Sequence, residues 1–121
     1  MKLPKLKHIN LAYLENISGN DKQFMEMYIG MFIKTLPEIL ANIEDAYSGK
    51  DWKKLADASH KAKSNIVNMG LTKMADELKL LELKARDGKE TESYAAVINL
   101  FRIVCKESLE ESELLIQALK E

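Results

Sequence analysis

Apolar residues recur every three or four positions along most of this 121-residue chain, which is the spacing of amphipathic helices. No segment alternates apolar and polar residues in the way that a half-buried strand does. Turn-forming residues, chiefly Gly, Ser, Asn and Asp, interrupt the helical pattern. The pattern therefore predicts one short helix and four long ones, at about residues 10–17, 21–47, 51–69, 72–86 and 92–119.

Local signals indicate where several of these helices begin and end. Asn20 can cap the second helix, with Gln23 at the reciprocal position of a capping box. Asp51 can cap the third helix, and Gly70 can end it in the left-handed conformation that glycine adopts readily. Pro37 lies inside the second helix and lacks a backbone donor, so we expect a kink or a break just before it.

The last two helices show the clearest core faces. In the fifth helix, steps of four and three join Tyr94, Ile98, Phe101, Cys105, Ser108, Ser112, Leu115 and Leu119. The fourth helix carries a similar stripe of Leu71, Met74, Leu78, Leu81 and Ala85. Long amphipathic helices joined by short turns predict an all-α fold, an antiparallel up-and-down four-helix bundle with a short additional N-terminal helix. Residues 1–121 are predicted to form a single domain.

The second helix is apolar over a wider arc than one core face requires. Its core can be filled by Phe24, Met27, Tyr28 and Met31. An adjoining face then carries Met25, Ile29, Ile33 and Leu36. Part of that second face is predicted to be exposed and to dock a partner, because methionine-rich surfaces adapt easily to other proteins.

Composition excludes several classes of function. The formal net charge is −1, which gives no general attraction to nucleic acid or to anionic membranes. No apolar run approaches the roughly 20 residues that a membrane span needs, and the basic start MKLPKLKHIN lacks the apolar stretch of a secretory signal. The single Cys105 forms no internal disulfide and fits a reducing compartment. We therefore expect a cytoplasmic domain without membrane insertion.

One histidine of the third helix is predicted to face solvent. At about 100° per residue, the apolar and small residues of this helix share one buried arc: Leu55, Ala58, Ser59, Ala62, Ile66 and Met69. His60 points away from that arc, and the small Ala56 and Ser64 flank it by one turn, which leaves the imidazole accessible. Lys63 lies where its ammonium group can reach an anion attached to the ring. A surface histidine without a function is the alternative interpretation.

An exposed imidazole is a competent nucleophile toward a phosphoryl group, because histidine side chains titrate near neutral pH. Lys63 would offset the negative charge of the resulting phosphohistidine. Neither metal ligands nor a nucleotide-binding loop nor a second base occurs nearby in the sequence. Such a site could accept a phosphoryl group and pass it on, but it could not take one from ATP unaided, and it requires no cofactor and no metal.

The segment LADASHKAK, residues 55–63, resembles the signature of the histidine-containing phosphotransfer (HPt) domains of bacterial two-component phosphorelays. That signature places a lysine three residues after the histidine, a glycine directly after the lysine and a further glycine later. The resemblance covers nearly the whole chain and implies that His60 is the phosphoacceptor, with Lys63 as its charge partner and Gly70 as the later glycine. Ser64 replaces the first glycine, and Ala62 replaces a residue that is often leucine.

The resemblance also implies partners. His60 would accept a phosphoryl group from the aspartyl phosphate of a response-regulator receiver domain and pass it to another receiver, in a pathway with a hybrid sensor histidine kinase. The chain would be a phosphocarrier rather than an enzyme, and a monomer, since a receiver must reach the open helix face. Docking is expected around His60, at Asp57, Val67, Met25 and Ile29. The sequence leaves open which kinase and receivers take part, the direction of flow, and whether the chain is an excised domain.

Two other functions compete with phosphotransfer. A non-catalytic helical adaptor would bind a receiver or kinase domain without carrying phosphate. A bundle enzyme or metal carrier would need inward-facing Glu and His pairs at helical spacing, which the sequence lacks. Among the remaining residues, His8 is interpreted as part of a frayed tail, Cys105 as a small core residue, and Trp52 as packing at one end of the bundle.

Overall fold

The computed structural model describes residues 4–121, so the first three residues of the predicted domain lie outside the described residues. Helices account for most of the described chain, and no strand occurs within it. The elements are α1 (Leu11–Ser18), α2 (Lys22–Ser48), α3 (Trp52–Val67), α4 (Thr72–Arg86), a 3-10 turn (Thr91–Ser93) and α5 (Tyr94–Lys120). This confirms the predicted all-α class, and each helix boundary lies within two residues of its predicted position.

The four long helices form a closed bundle in which consecutive helices are neighbours. α2 packs against α3 and α5, α3 packs most extensively against α4, and α4 packs against α5. Short turns join α2 to α3 and α3 to α4, as in an antiparallel up-and-down bundle. α1 packs against α2 and buries Leu14. At the opposite end Trp52 packs edge-on against the buried Tyr94, with their ring centroids 5.2 Å apart, as predicted for this tryptophan.

The core faces predicted for α4 and α5 are confirmed. All eight seam positions of α5 are buried, and so are the five positions of the α4 stripe. The seam of α5 includes Ser108 and Ser112, whose small side chains leave room for neighbouring helices. The Ser112 hydroxyl donates to the Ser108 carbonyl at 2.8 Å, which satisfies its polar atom inside the helix.

The face predicted for α2 is wrong. Ile29 is fully buried and Met25 nearly so, whereas Met31 is 60% exposed and Met27 is also exposed. The buried residues follow steps of four and three, and this is the seam that packs on the neighbouring helices: Met25, Ile29, Phe32, Leu36, Ile43 and Ala46. Both faces of α2 have helical spacing, and packing against α3 and α5 decides which of them is buried. Met25 and Ile29 are therefore core residues and are not available for docking.

The helix ends agree with the sequence in part. The Asp51 side chain accepts from the backbone N–H of Lys54 at 3.1 Å, as predicted for the cap of α3. The cap of α2 is Asp21 instead of Asn20, which adopts a left-handed backbone in the preceding turn. α2 continues without a break through Pro37, which lies on its exposed side.

Residues 7–10 form a strap across one end of the bundle. The backbone N–H groups of Lys7, His8 and Ile9 all donate to the buried carboxylate of Glu111 on α5, at 2.9, 3.1 and 3.0 Å. The imidazole Nε2 of His8 lies 2.8 Å from the Glu107 carboxylate. His8 is therefore a docked, half-buried residue, and its interpretation as part of a frayed tail is wrong. A carboxylate that satisfies three successive backbone donors explains why this segment is ordered.

Candidate functional site

α3 presents His60 to solvent. Its side chain is 56% exposed, while the residues of α3 that are buried in the bundle are Leu55, Ala56, Ser59, Ala62 and Ile66. The Asp51 cap fixes where the helix starts and therefore which residues face outward. The predicted outward orientation of His60 is confirmed. The predicted buried arc needs one correction, because Ala56 is fully buried and Ala58 only partly.

The imidazole of His60 is held on one side by a carboxylate from α4. Its Nδ1 lies 3.1 Å from Oε1 of Glu82, whose side chain is only 14% exposed. An ionised carboxylate only accepts hydrogen bonds, so the proton of a neutral imidazole belongs on Nδ1. The free electron pair is then on Nε2, the nitrogen that Glu82 does not engage. His60 and Glu82 together thus provide a nucleophilic nitrogen on an exposed ring whose orientation is fixed.

Glu82 is itself held by two further side chains. Its second oxygen accepts from Arg86 Nη2 at 3.1 Å, one turn along α4. Nη1 of Arg86 donates to Asp57 on α3 at 3.3 Å. Burial alone would raise the pKa of the Glu82 carboxyl, but hydrogen bonds from His60 and Arg86 and the nearby charge of Lys63 outweigh it, so that this pKa lies below the ordinary value. Glu82 therefore remains ionised beside the histidine.

Lys63 and Ser64 occupy the positions expected of them. Lys63 is partly exposed one turn beyond His60, and among residues 4–121 it forms no ion pair. Its ammonium group is therefore available to an anion. Ser64 is exposed on the same face of α3. Ala56, one turn before His60, is fully buried and does not belong to the exposed surface; its predicted role in keeping the imidazole accessible stays a prediction.

The turn after α3 contains Gly70. Its φ of +79° is the left-handed conformation predicted for the residue that stops the helix. The helix itself ends at Val67, two residues earlier than expected, with Asn68 as its C-terminal cap. A second reason for glycine was not visible in the sequence: a Cβ at this position would overlap the Cβ of Asn10 in the strap.

The predicted docking residues divide into two groups. Asp57 and Val67 are exposed beside the histidine as expected, whereas Met25 and Ile29 are buried. The exposed apolar side chains of α2 are Phe24, Met27 and Met31, which share one outer stripe and are called here the α2 patch.

A groove joins the α2 patch to the helix that carries the histidine. It has a volume of about 120 Å³ and is lined by Tyr28, Met31, Phe32, Thr35, Asn65, Asn68 and Met69. The Tyr28 hydroxyl closes one end by donating to the carbonyl of Asn68 at 2.7 Å. Asn68, Ser64 and His60 follow each other at intervals of four residues on one face of α3. The groove thus borders the end of α3, and the polar side chains of Asn68 and Ser64 separate it from the imidazole.

Glu82 was missed by the sequence analysis. It lies one position after Leu81 of the α4 core stripe, on the side turned toward α3, and nothing within α4 marks it as special. Its relation to His60 depends on the register between two helices across a turn. The sequence does show that α4 carries acidic residues that could pair with His60. It does not show which of Asp76, Glu77 and Glu82 is the partner.

Within the described chain, His, Cys, Asp and Glu side chains form no group of three or more that could bind a metal ion. In the same residues, every helix is too short or too polar to cross a membrane. The site consists of an exposed imidazole, its carboxylate partner and nearby cations.

Comparisons with known proteins gave one family match and one similar crystal structure. The family model of the Hpt domain matches residues 27–121. The crystal structure of histidine-containing phosphotransfer protein B (HptB) from Pseudomonas aeruginosa PAO1 is similar to this chain, with a TM-score of 0.77 and 22% sequence identity over 96% of this chain and 97% of that chain. At that identity the likeness shows a shared fold. No curated protein matches the sequence.

Proposed function

Because the chain belongs to the Hpt domain family, we propose that it is a histidine phosphotransfer protein whose phosphoacceptor is Nε2 of His60. The donor is the aspartyl phosphate of a response-regulator receiver domain, and the acceptor of the next step is the aspartate of another receiver. The observation that carries the proposal is the exposed ring with Nδ1 engaged by Glu82 at 3.1 Å. This arrangement leaves one nitrogen open to an incoming phosphorus atom.

The transfer needs no proton to enter or leave the site. The Nε2 electron pair attacks phosphorus, the bond between phosphorus and the acyl oxygen breaks, and the receiver carboxylate leaves with its electron pair. The Nδ1 proton stays on the ring. Lys63 offers a positive charge for the phosphoryl oxygens from one turn away, on the same side of α3 as α4.

The exposed surface around His60 gives a receiver both access to the imidazole and a place to dock. Ser64 and Asp57 are exposed around the imidazole, so a receiver can approach it from outside the bundle. The α2 patch and its groove offer an apolar anchor at the distance of two α3 turns from His60. We place the receiver contact there, together with Asp57 and Val67, in a cytoplasmic monomer that has no kinase activity of its own.

The test is transfer from a radiolabelled phosphorylated receiver, using a panel of receivers. Label on the wild-type chain should be acid-labile and base-stable, as expected for phosphohistidine. His60→Gln should lose the label, and His8→Gln, the matched control at the second histidine, should retain it. Incubation with ATP alone should give no label.

Chemical phosphorylation by phosphoramidate needs no receiver. It therefore distinguishes a panel that lacks the correct receiver from a chain that cannot be phosphorylated on His60. If neither receivers nor phosphoramidate label the wild-type chain, or if His60→Gln remains labelled, phosphotransfer at His60 is wrong. Receiver binding that is unchanged in His60→Ala, combined with no transfer, would instead identify a non-catalytic adaptor.

A further inference from the structure

The carboxylate beside the imidazole has a consequence beyond acceptance of the phosphoryl group. We propose that Glu82 is a positioning residue that keeps a proton on Nδ1 of His60 after phosphorylation and thereby holds the phosphohistidine in its reactive form. This inference rests on the proposed function of His60. It assigns to Glu82 control over how readily the phosphoryl group is passed on, as well as the orientation of the ring.

The chemistry of the departing nitrogen explains why this proton matters. When a neutral imidazole with its proton on Nδ1 is phosphorylated on Nε2, the product carries an anionic phosphoryl group on a positively charged imidazolium ring. On transfer to a receiver aspartate, the bond between nitrogen and phosphorus breaks and its electron pair returns to Nε2, which leaves a neutral imidazole. If the Nδ1 proton is lost first, the leaving group is an imidazolate anion, and transfer is slow.

The geometry around Glu82 favours the protonated product. Its carboxylate lies 3.1 Å from Nδ1 and is largely withdrawn from water, so its attraction for the cationic ring is weakly screened. The second oxygen is bound by Arg86 at 3.1 Å, and Asp57 binds Arg86 in turn. The carboxylate therefore cannot rotate away from the ring without breaking this network.

Other charges around the ring do not replace Glu82. The shallow depression at His60 is lined by Asp57, Lys61, Glu82 and Arg86, and Lys63 acts on Glu82 from the next turn of α3. These groups belong to α3 and α4, and the lining contains no residue of α2. The Asp57 carboxylate is engaged by Arg86, so Glu82 is the anion that contacts the imidazole within the described residues.

The test measures donation from the phosphorylated protein to a receiver between pH 5 and pH 9. Glu82→Gln keeps a hydrogen-bond acceptor near Nδ1 but removes the charge. We expect the midpoint of the pH profile to move toward acid by about one pH unit, so that donation near pH 8 slows roughly tenfold while donation near pH 5 changes little. A phosphorus NMR titration of the phosphorylated chain should show the same shift in its midpoint.

A matched control is Asp76→Asn, which removes an exposed carboxylate from the same helix and should leave both profiles unchanged. Glu82→Asp, which retains the charge but withdraws the oxygens by one methylene, should give an intermediate shift and provides a second variant if the amide folds poorly. Profiles of Glu82→Gln and Glu82→Asp that match the wild type would overturn the inference. Failure to label the wild type at all would instead overturn the proposed function.

Discussion

The backbone N–H of Asn10 donates to the carbonyl of Met69 at 3.1 Å, which brings the strap directly against the turn between α3 and α4. At that point the Cβ of Asn10 occupies the space that a side chain on Gly70 would need. Gly70 is thus required both by its left-handed backbone and by a close approach of the strap. Gly70 therefore ends the helix that carries His60 and also leaves the space in which the strap packs.

Gly70→Ala should therefore destabilise the protein by about 2 kcal/mol or more, because it combines a strained backbone with a steric overlap. Gly30→Ala is the matched control: Gly30 lies within α2, and a Cβ there would meet nothing within 4 Å. That change should stabilise by about 0.5–1 kcal/mol. Urea denaturation of both variants measures the difference, and equal effects would contradict the close approach.

The interaction of Glu82 predicts a pH dependence of stability. Its pKa is lowered from the ordinary 4.5 in the folded chain, so the ionised group stabilises the fold above pH 4.5 and this contribution is lost as the pH falls through the folded pKa. Wild type should exceed Glu82→Gln by about 1 kcal/mol at pH 7. The gap should narrow as the pH is lowered through and below 4.5. A gap that does not narrow would show that the network stabilises through something other than the charge.

Removal of the Lys63 charge should slow phosphoryl transfer without preventing it. Lys63→Gln is expected to lower the rate of transfer from a receiver roughly tenfold or more, since a charged hydrogen bond to phosphate is worth about 1.5 kcal/mol or more. Lys54→Gln removes an exposed charge from the same helix and serves as the control. Rapid-quench measurements at saturating receiver report the rate. Equal rates for the two variants would exclude a role for Lys63 in transfer.

The α2 patch can be tested by introducing a charge into it. Met31→Asp should weaken receiver binding at least tenfold, because a buried apolar contact would become an unpaired carboxylate. Labelling by phosphoramidate, which needs no docking, should be unchanged. Leu114→Asp alters an equally exposed apolar residue on α5 and should not affect binding. Calorimetric titration with the receiver measures the affinity of both variants. A larger loss of affinity in Leu114→Asp than in Met31→Asp would place the docking face elsewhere.

Cys105 should be unreactive in the folded protein. Burial, with a smaller effect of the Glu44 charge, raises the pKa of its thiol to about 12. Iodoacetamide at pH 8 should therefore modify the native chain at least a hundredfold more slowly than the chain in denaturant. Mass spectrometry after timed exposure measures both rates. Comparable rates would indicate that the middle of α5 opens readily.

The buried face of a helix can be predicted from the sequence when only one of its faces is apolar. In α4 and α5 a single stripe is apolar, so the seam from Tyr94 to Leu119 could be predicted position by position. In α2 nearly every face carries an apolar side chain, and the neighbouring helices decide which stripe is buried. Met31 and Ile29 were therefore assigned to the wrong faces, and so were the two docking residues predicted on α2, Met25 and Ile29.

The site shows the same division between local and long-range information. The exposure of His60 depends on the cap and the period of one helix, both of which can be predicted from nearby residues. The contact with Glu82 depends on how α3 and α4 are aligned across a turn, and the docking of His8 depends on Glu107 near the other end of the chain. Rules based on neighbouring residues cannot predict these contacts from a single sequence, because the paired residues are far apart in the chain.

The buried face of α3 is built largely from small side chains, Ala56, Ser59 and Ala62, and the helix packs more extensively against α4 than against any other element. Their size determines how near α4 can lie, and therefore whether the Glu82 oxygen reaches the imidazole. A larger residue at one of these positions would leave the exposed surface intact but would lengthen that contact. Under the proposed function, the volume of these interior side chains would thereby influence how long the chain retains a phosphoryl group.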